Sequence, residues 1–227
     1  MSQTTAAANP RLATEVLARV AAPAAEEAFF GSLTSRSAPR LAAWACSYHY
    51  FSIQQARHLA LVVRAVEPSD AETLSEVTRA LFEEYGSGHP TQVHSVLFGR
   101  FARAVIGPGE TLPIAREAVA PAILTYVDEI ERAYRQPNIA RAMGAYTYLE
   151  RSAVLSYPMM VEALTPLGFS EDELRFFALH TIQEVHHDAA AGKMASRYVK
   201  DEAALEAFKA QIELMHGLWS AVWESFL

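Results

Sequence analysis

Apolar positions along the chain recur at intervals of three and four residues, and strict alternation never persists long enough to suggest a strand. The clearest stretch follows Ser37 and Pro39. There Leu41, Trp44, Ala45, Tyr48, Phe51, Leu59, Val62 and Val63 fall mostly at helical spacing, and Pro68 ends the run. Ser69 with Glu72 reads as a capping box for a helix over about 70–85. Gly86-Ser87-Gly88-His89-Pro90 breaks that helix, and Pro90 starts another that reaches about residue 105. Gly107-Pro108-Gly109 marks a loop. Helical runs follow over about 113–135, interrupted or restarted at Pro121, and over about 138–164, with Pro158 expected to kink the second. After a turn at Leu167-Gly168-Phe169, Ser170 with Glu173 caps a helix to about 198, and a last helix covers about 202–225. Asn9 before Pro10 predicts a helix start near the N-terminus, and the Ala-rich residues 1–8 are the candidate for disorder. With no hairpin signals, repeats or low-complexity linker, the expectation is one all-α domain over residues 1–227, with about seven to nine helices.

Composition narrows the class. The chain has 227 residues, 51% of them hydrophobic, enough for a substantial core. Its formal net charge of −7 argues against nucleic-acid binding, which needs a basic surface to release counterions. No apolar run approaches the roughly 18 residues of a membrane span, and the N-terminal residues do not read as a secretory signal. A cytoplasmic protein without membrane or nucleic-acid partners is expected. Cys46 is the only cysteine, which excludes an internal disulfide and a cysteine-based zinc site, and it reads as a packed small residue.

Candidate chemistry lies in three places. In H-T-I-Q-E-V-H-H, helical geometry puts His180, Glu184 and His187 within about 60° of one another and turns His186 away. Two imidazoles and a carboxylate on one stripe suit iron, manganese or zinc. A polar outer face is the plain alternative, weakened by the apolar residues Leu174, Phe176, Phe177, Ala178, Ile182 and Val185, which predict burial around much of this helix. Glu83-Glu84 precedes the glycine break and His94 follows it, so Glu84 and His94 can converge as no continuous helix would allow at that spacing. An acidic helix end with an unrelated histidine is the alternative. Glu150, among Tyr146, Leu149, Ala153, Val154 and Tyr157, is a carboxylate on a core-facing helix that needs a partner, whether Arg151, a tyrosine or a metal.

The ordered set Glu84, His94, Glu150, His180, Glu184 and His187, with E-E-Y-G-S-G-H-P-T-Q-V-H-S-V-L-F around the first two, resembles the haem-oxygenase-like dinuclear non-haem iron oxidases and oxygenases over about 80–195. The resemblance implies a thiaminase-type helical bundle without haem. It implies two Fe(II) ions held by those six residues, Glu84 or Glu150 bridging, with Glu84, Glu150 and Glu184 serving catalysis and O2 as co-substrate. In relatives the last triplet's helix can be mobile and its metal labile. That triplet commonly has Asp at its middle position, where this chain carries Glu184.

Such enzymes oxidise amino acids, amines and fatty acids. The expected function is oxidation of a small amino-acid or other carboxylate substrate in specialised metabolism, by C–C cleavage, decarboxylation or N-oxygenation. Tyr48, Phe51 and Tyr146 are candidate pocket walls, and Arg151 a candidate for holding the carboxylate. A homodimer and an external electron donor are further expectations. Two rivals remain: a ferritin-like di-iron bundle using Glu184-His187 and Glu213-His216, and a metal-free helical binding protein.

Overall fold

The computed structural model describes residues 15–227, so the predicted start at Asn9-Pro10 and the expected disorder of 1–8 lie outside the described residues. Among the described residues every regular element is helical. After a helical segment at residues 15–17, eight further α-helices follow among the described residues: α1 (Ala24–Gly31), α2 (Pro39–Ala65), α3 (Ala71–Glu84), α4 (His94–Ile106), α5 (Pro121–Arg135), α6 (Ile139–Leu164), α7 (Arg175–Tyr198) and α8 (Glu202–Glu224).

Most boundaries follow from local chemistry. Proline stands in the first turn of α2 and α5, where its missing N–H costs no helical bond. Asn138 and Asp201 cap α6 and α8 by accepting from the amides of Ala140 and Ala204. Ser170 and Glu173 form the expected reciprocal capping box, each bonding the other's backbone N–H, one turn before α7.

Several expectations are corrected. Asp70, not Ser69, caps α3: its carboxylate accepts from both the amide and the hydroxyl of Thr73, and Glu72 turns outward to Arg197. Pro90 opens a single 3-10 turn, and the α-helix begins only at His94. Residues 113–120 hold just a 3-10 turn at Arg116–Ala118, so the helix there starts at Pro121. Helix α1 was not singled out by the hydrophobic pattern because its apolar face is only two phenylalanines wide. Ile182 (76% exposed) and Val185 (62% exposed) lie on the surface of α7, so its outer face is solvated and only the stripe carrying Phe176, Phe177 and the triplet is buried.

The core is aromatic. The ring of Trp44 on α2 packs against Phe29, Phe30, Tyr48, Phe98, Phe177 and Trp223, joining five helices in one contact set. Helix α6 packs along both α7 and α8. Gly144 allows the α8 contact: a Cβ there would sit 2.8 Å from the Phe208 carbonyl oxygen. Helix α2 lies against α3, α4 and α5. The carboxylates and histidines of interest therefore project from α3, α4, α6 and α7.

Candidate metal centre

Glu84 ends α3 and His94 opens α4. The chain reverses between them through two 3-10 turns. Gly86 makes the reversal possible: its φ is +72°, and a Cβ would meet the backbone of Gln92 and Val93 at 2.6 Å. The reversal puts His94 Nδ1 3.0 Å from Glu84 Oε1. From α7, His180 brings its Nε2 to 3.8 Å from the same carboxylate oxygen. Phe176, one turn earlier, accepts a hydrogen bond of 2.7 Å at His180 Nδ1, which leaves the lone pair on Nε2 facing inward.

A second group adjoins the first. His187 Nδ1 lies 3.5 Å from Glu184 Oε2 and 3.6 Å from Glu150 Oε2. The six residues predicted as ligands thus come together as two sets, Glu84–His94–His180 and Glu150–Glu184–His187, with the donor atoms of each set within 4.8 Å of one another. His180 Nε2 also approaches Glu184 Oε1 at 3.9 Å, so the sets share a boundary. His186 is on the outside of the helix, as its position in the triplet requires.

The electrostatics differ between the sets. Burial opposes ionisation of Glu84, but His94 and His180 outweigh it and hold the carboxyl well below the usual range. Burial pushes Glu184 up to about 8. Burial, and then the neighbouring Glu184, pushes Glu150 well above its ordinary value. Burial lowers His180, keeping a neutral imidazole. His94 Nδ1 and Glu184 Oε2 are buried, and although each has a polar neighbour within 3.5 Å, neither meets a protein group at good hydrogen-bond geometry. Two buried carboxyls and the largely buried Glu84 with three imidazoles, two atoms of the set lacking good hydrogen-bond geometry, fit divalent iron: cations would pair the carboxylates and take up those donor positions.

A cavity of about 60 Å³ borders the centre, and all the candidate ligands except His94 line it. Tyr48 and Phe51 form part of its wall, together with Tyr157 and Trp219. The Tyr48 and Tyr157 hydroxyls are 3.2 Å apart, and the Tyr157 ring lies 4.5 Å from that of His180. The other two predicted wall residues are placed elsewhere. Tyr146 is buried one turn before Glu150, outside the cavity lining. Arg151 is also outside it and pairs with Asp188 at 3.2 Å. Sequence reasoning missed Glu83, which accepts a 2.7 Å hydrogen bond from His187 Nε2. Its only signal was the doubled glutamate.

The ferritin-like alternative fails on placement. Glu213 and His216 line a different cavity near Val16 and Lys209, and among the described residues neither joins a cluster of three potential ligands. No helix among the described residues is long and apolar enough to cross a membrane.

Comparison with known proteins places this architecture. A family model described as iron-containing redox enzyme matches residues 42–219. A 4-chloro-allylglycine synthase of Streptantibioticus cattleyicolor is 27% identical over 162 residues, covering 70% of this chain and 60% of that protein. The match thus spans about three fifths of that relative's length. Among solved structures, a CADD-like protein of unknown function from Nostoc punctiforme superposes with a TM-score of 0.74 at 15% identity, covering 95% of this chain and 94% of that one. A TenA homologue from Pseudomonas syringae gives 0.74 at 12% identity, covering 95% and 89%. A domain with a haem oxygenase-like fold from Shewanella denitrificans gives 0.69 at 14% identity, covering 95% and 87%. At these identities the likeness establishes the fold, which is haem-oxygenase-like.

Proposed function

This chain belongs to the iron-containing redox enzymes of haem-oxygenase-like fold, and from that premise we propose that it is a non-haem di-iron oxidase or oxygenase that uses O2 to oxidise a small amino-acid or related carboxylate substrate. The observation that carries the proposal is the pair of buried triads, Glu84–His94–His180 and Glu150–Glu184–His187, on the border of one cavity. Two ferrous ions bound there would supply the electrons that dioxygen needs to react with an organic molecule.

The protein's own groups account for the rest. Glu84 and His94, fixed by the reversal at Gly86, give one rigid corner of the site. Glu150 and Glu184 provide carboxylates that exchange a proton for a cation, since each is held protonated by burial in the ion's absence. The Tyr48–Tyr157 hydroxyl pair gives the cavity wall a polar point beside His180 that can hold a substrate heteroatom. Phe51, Leu59, Phe176 and Trp219 give the wall its apolar part. The relative named for the synthesis of 4-chloro-allylglycine supports an amino acid.

The test is anaerobic Fe(II) titration of metal-free protein followed by mixing with oxygenated buffer. We expect about two ions per chain, matching the two triads, and a transient visible absorption on oxygenation that candidate amino acids accelerate. No bound iron, with or without candidate amino and fatty acids, would sink the proposal and leave a helical binding protein.

A further inference from the structure

The two histidines of α7 that face the centre are oriented by different partners. His180 donates from Nδ1 to a backbone carbonyl and presents Nε2 inward. His187 is reversed: its Nε2 is bonded to Glu83 Oε2 at 2.7 Å, and its Nδ1 faces Glu150 and Glu184. Glu83 is itself held. Arg79 Nη1 donates to its other oxygen, Oε1, at 2.9 Å, and Arg79 Nη2 donates to Glu76 at 2.7 Å. A carboxylate paired with a guanidinium only accepts, so the shared proton belongs to His187 Nε2 and the lone pair to Nδ1. Glu83 also adjoins Glu84 in sequence. The last turn of α3 therefore sends one carboxylate into the first triad and a second to the outer edge of the other. Helices α3 and α7 come close at only a few points along their length. Besides Glu83–His187, the side-chain links between them are the 3.8 Å approach of His180 to Glu84, a long His186–Glu76 approach of 3.9 Å and the cluster of Asp70 and Glu72 with Arg197 and Tyr198.

We propose that Glu83 is a positioning residue for the second ion, fixing the tautomer and ring orientation of His187 that turn Nδ1 toward Glu150 and Glu184. The role rests on the di-iron reading above. A carboxylate on the far nitrogen also strengthens an imidazole as a ligand more than a neutral carbonyl does.

The experiment compares wild type, Glu83→Gln and Glu83→Ala by anaerobic Fe(II) titration against a competing chelator, resolving the two binding steps, with thermal melts alongside. Loss of an outer-shell partner typically costs about 10–100-fold in metal affinity. Glu83→Ala should weaken one of the two ions by about that factor and leave the other unchanged. Glu83→Gln keeps an acceptor for His187 Nε2–H and should recover part of the loss, and it carries the test alone where the alanine variant does not fold. Unchanged binding of both ions in the variants overturns the role of Glu83 and leaves the di-iron reading standing. Equal weakening of both ions also overturns it, because that signals general loosening of α3 against α7. A wild type that binds no ferrous ion overturns the di-iron reading and the role of Glu83 with it.

Discussion

The two triads use the same ligand types at similar depth, yet their carboxyls titrate in opposite directions. Glu84 stands between two imidazoles and stays ionised below the usual carboxylate range, although burial opposes it. Burial pushes Glu184 up to about 8, with the charge of Glu84 adding to the shift, and burial followed by the neighbouring Glu184 raises Glu150 above its ordinary value, while only one histidine stands beside the two. Burial sets the size of the penalty, and the ratio of histidines to carboxyls sets its sign. The first triad is ready for a cation, whereas the second must release protons to accept one. Their supports differ in the same sense. Glu84 and His94 are braced by a reversal that only glycine allows at Gly86, while Glu184 and His187 ride on a helix whose outer face, at Ile182 and Val185, is exposed.

Removing one imidazole from each triad breaks this comparison most directly. His94→Ala should abolish the tighter ferrous ion and leave at most one weakly held, because Glu84 loses the partner that contributes most to keeping it ionised. His187→Ala should leave one ion bound with wild-type affinity. Stepwise anaerobic titration of both variants distinguishes the cases. The reverse result, a tight ion surviving His94→Ala and none surviving His187→Ala, would mean that preorganised charge does not rank the two triads.

The next effect is a pH dependence confined to one step. A carboxyl that titrates at about 8 must lose its proton before it can bind a cation, so affinity for the second ion should fall about tenfold for each pH unit below 8. The carboxyl of Glu84 is already ionised across that range, so the first step should change little on its account. Titrations at pH 6, 7 and 8 separate the steps. Parallel slopes for both ions would remove the distinction.

Much of this architecture is legible in the sequence because it rests on local signals. The helical period, the proline-led starts of α2 and α5, the Ser170–Glu173 box and the i, i+4, i+7 stripe of His180, Glu184 and His187 need no tertiary information. The haem-oxygenase-like fold followed from the residue pattern across Glu84 to His187. What was not legible depends on long-range placement. Glu83 gained its partner 104 residues away on α7. Arg151, beside Glu150 in sequence, points to Asp188 and not to the cavity, because adjacent helical residues face about 100° apart. Ile182 and Val185 suggested burial by their hydrophobicity, but among the described residues nothing covers that side of α7. Asp70 displaced Ser69 as a cap because its carboxylate also serves Arg197 and Tyr198.

A fourth carboxyl, Glu26, is buried with no histidine beside it. Glu26 on α1 has no exposed surface, and neither of its oxygens meets a hydrogen-bond partner at good geometry. Burial pushes it up to about 8, with Ser156 and Trp219 only partly opposing the shift. A carboxyl raised from an ordinary value of 4.5 contributes its full stability below pH 4.5 and loses it as pH rises through 8, since the unfolded chain ionises first. Glu26→Gln removes that titration while keeping size and an acceptor. The variant should match the wild type near pH 4.5 and exceed it by about 4 kcal/mol at pH 8. Melts of the two proteins at both pH values give the difference directly, with every other titrating group held common. A variant less stable than wild type at pH 8 would show that Glu26 is ionised and paired, which would bring it closer to Glu84 than to Glu184.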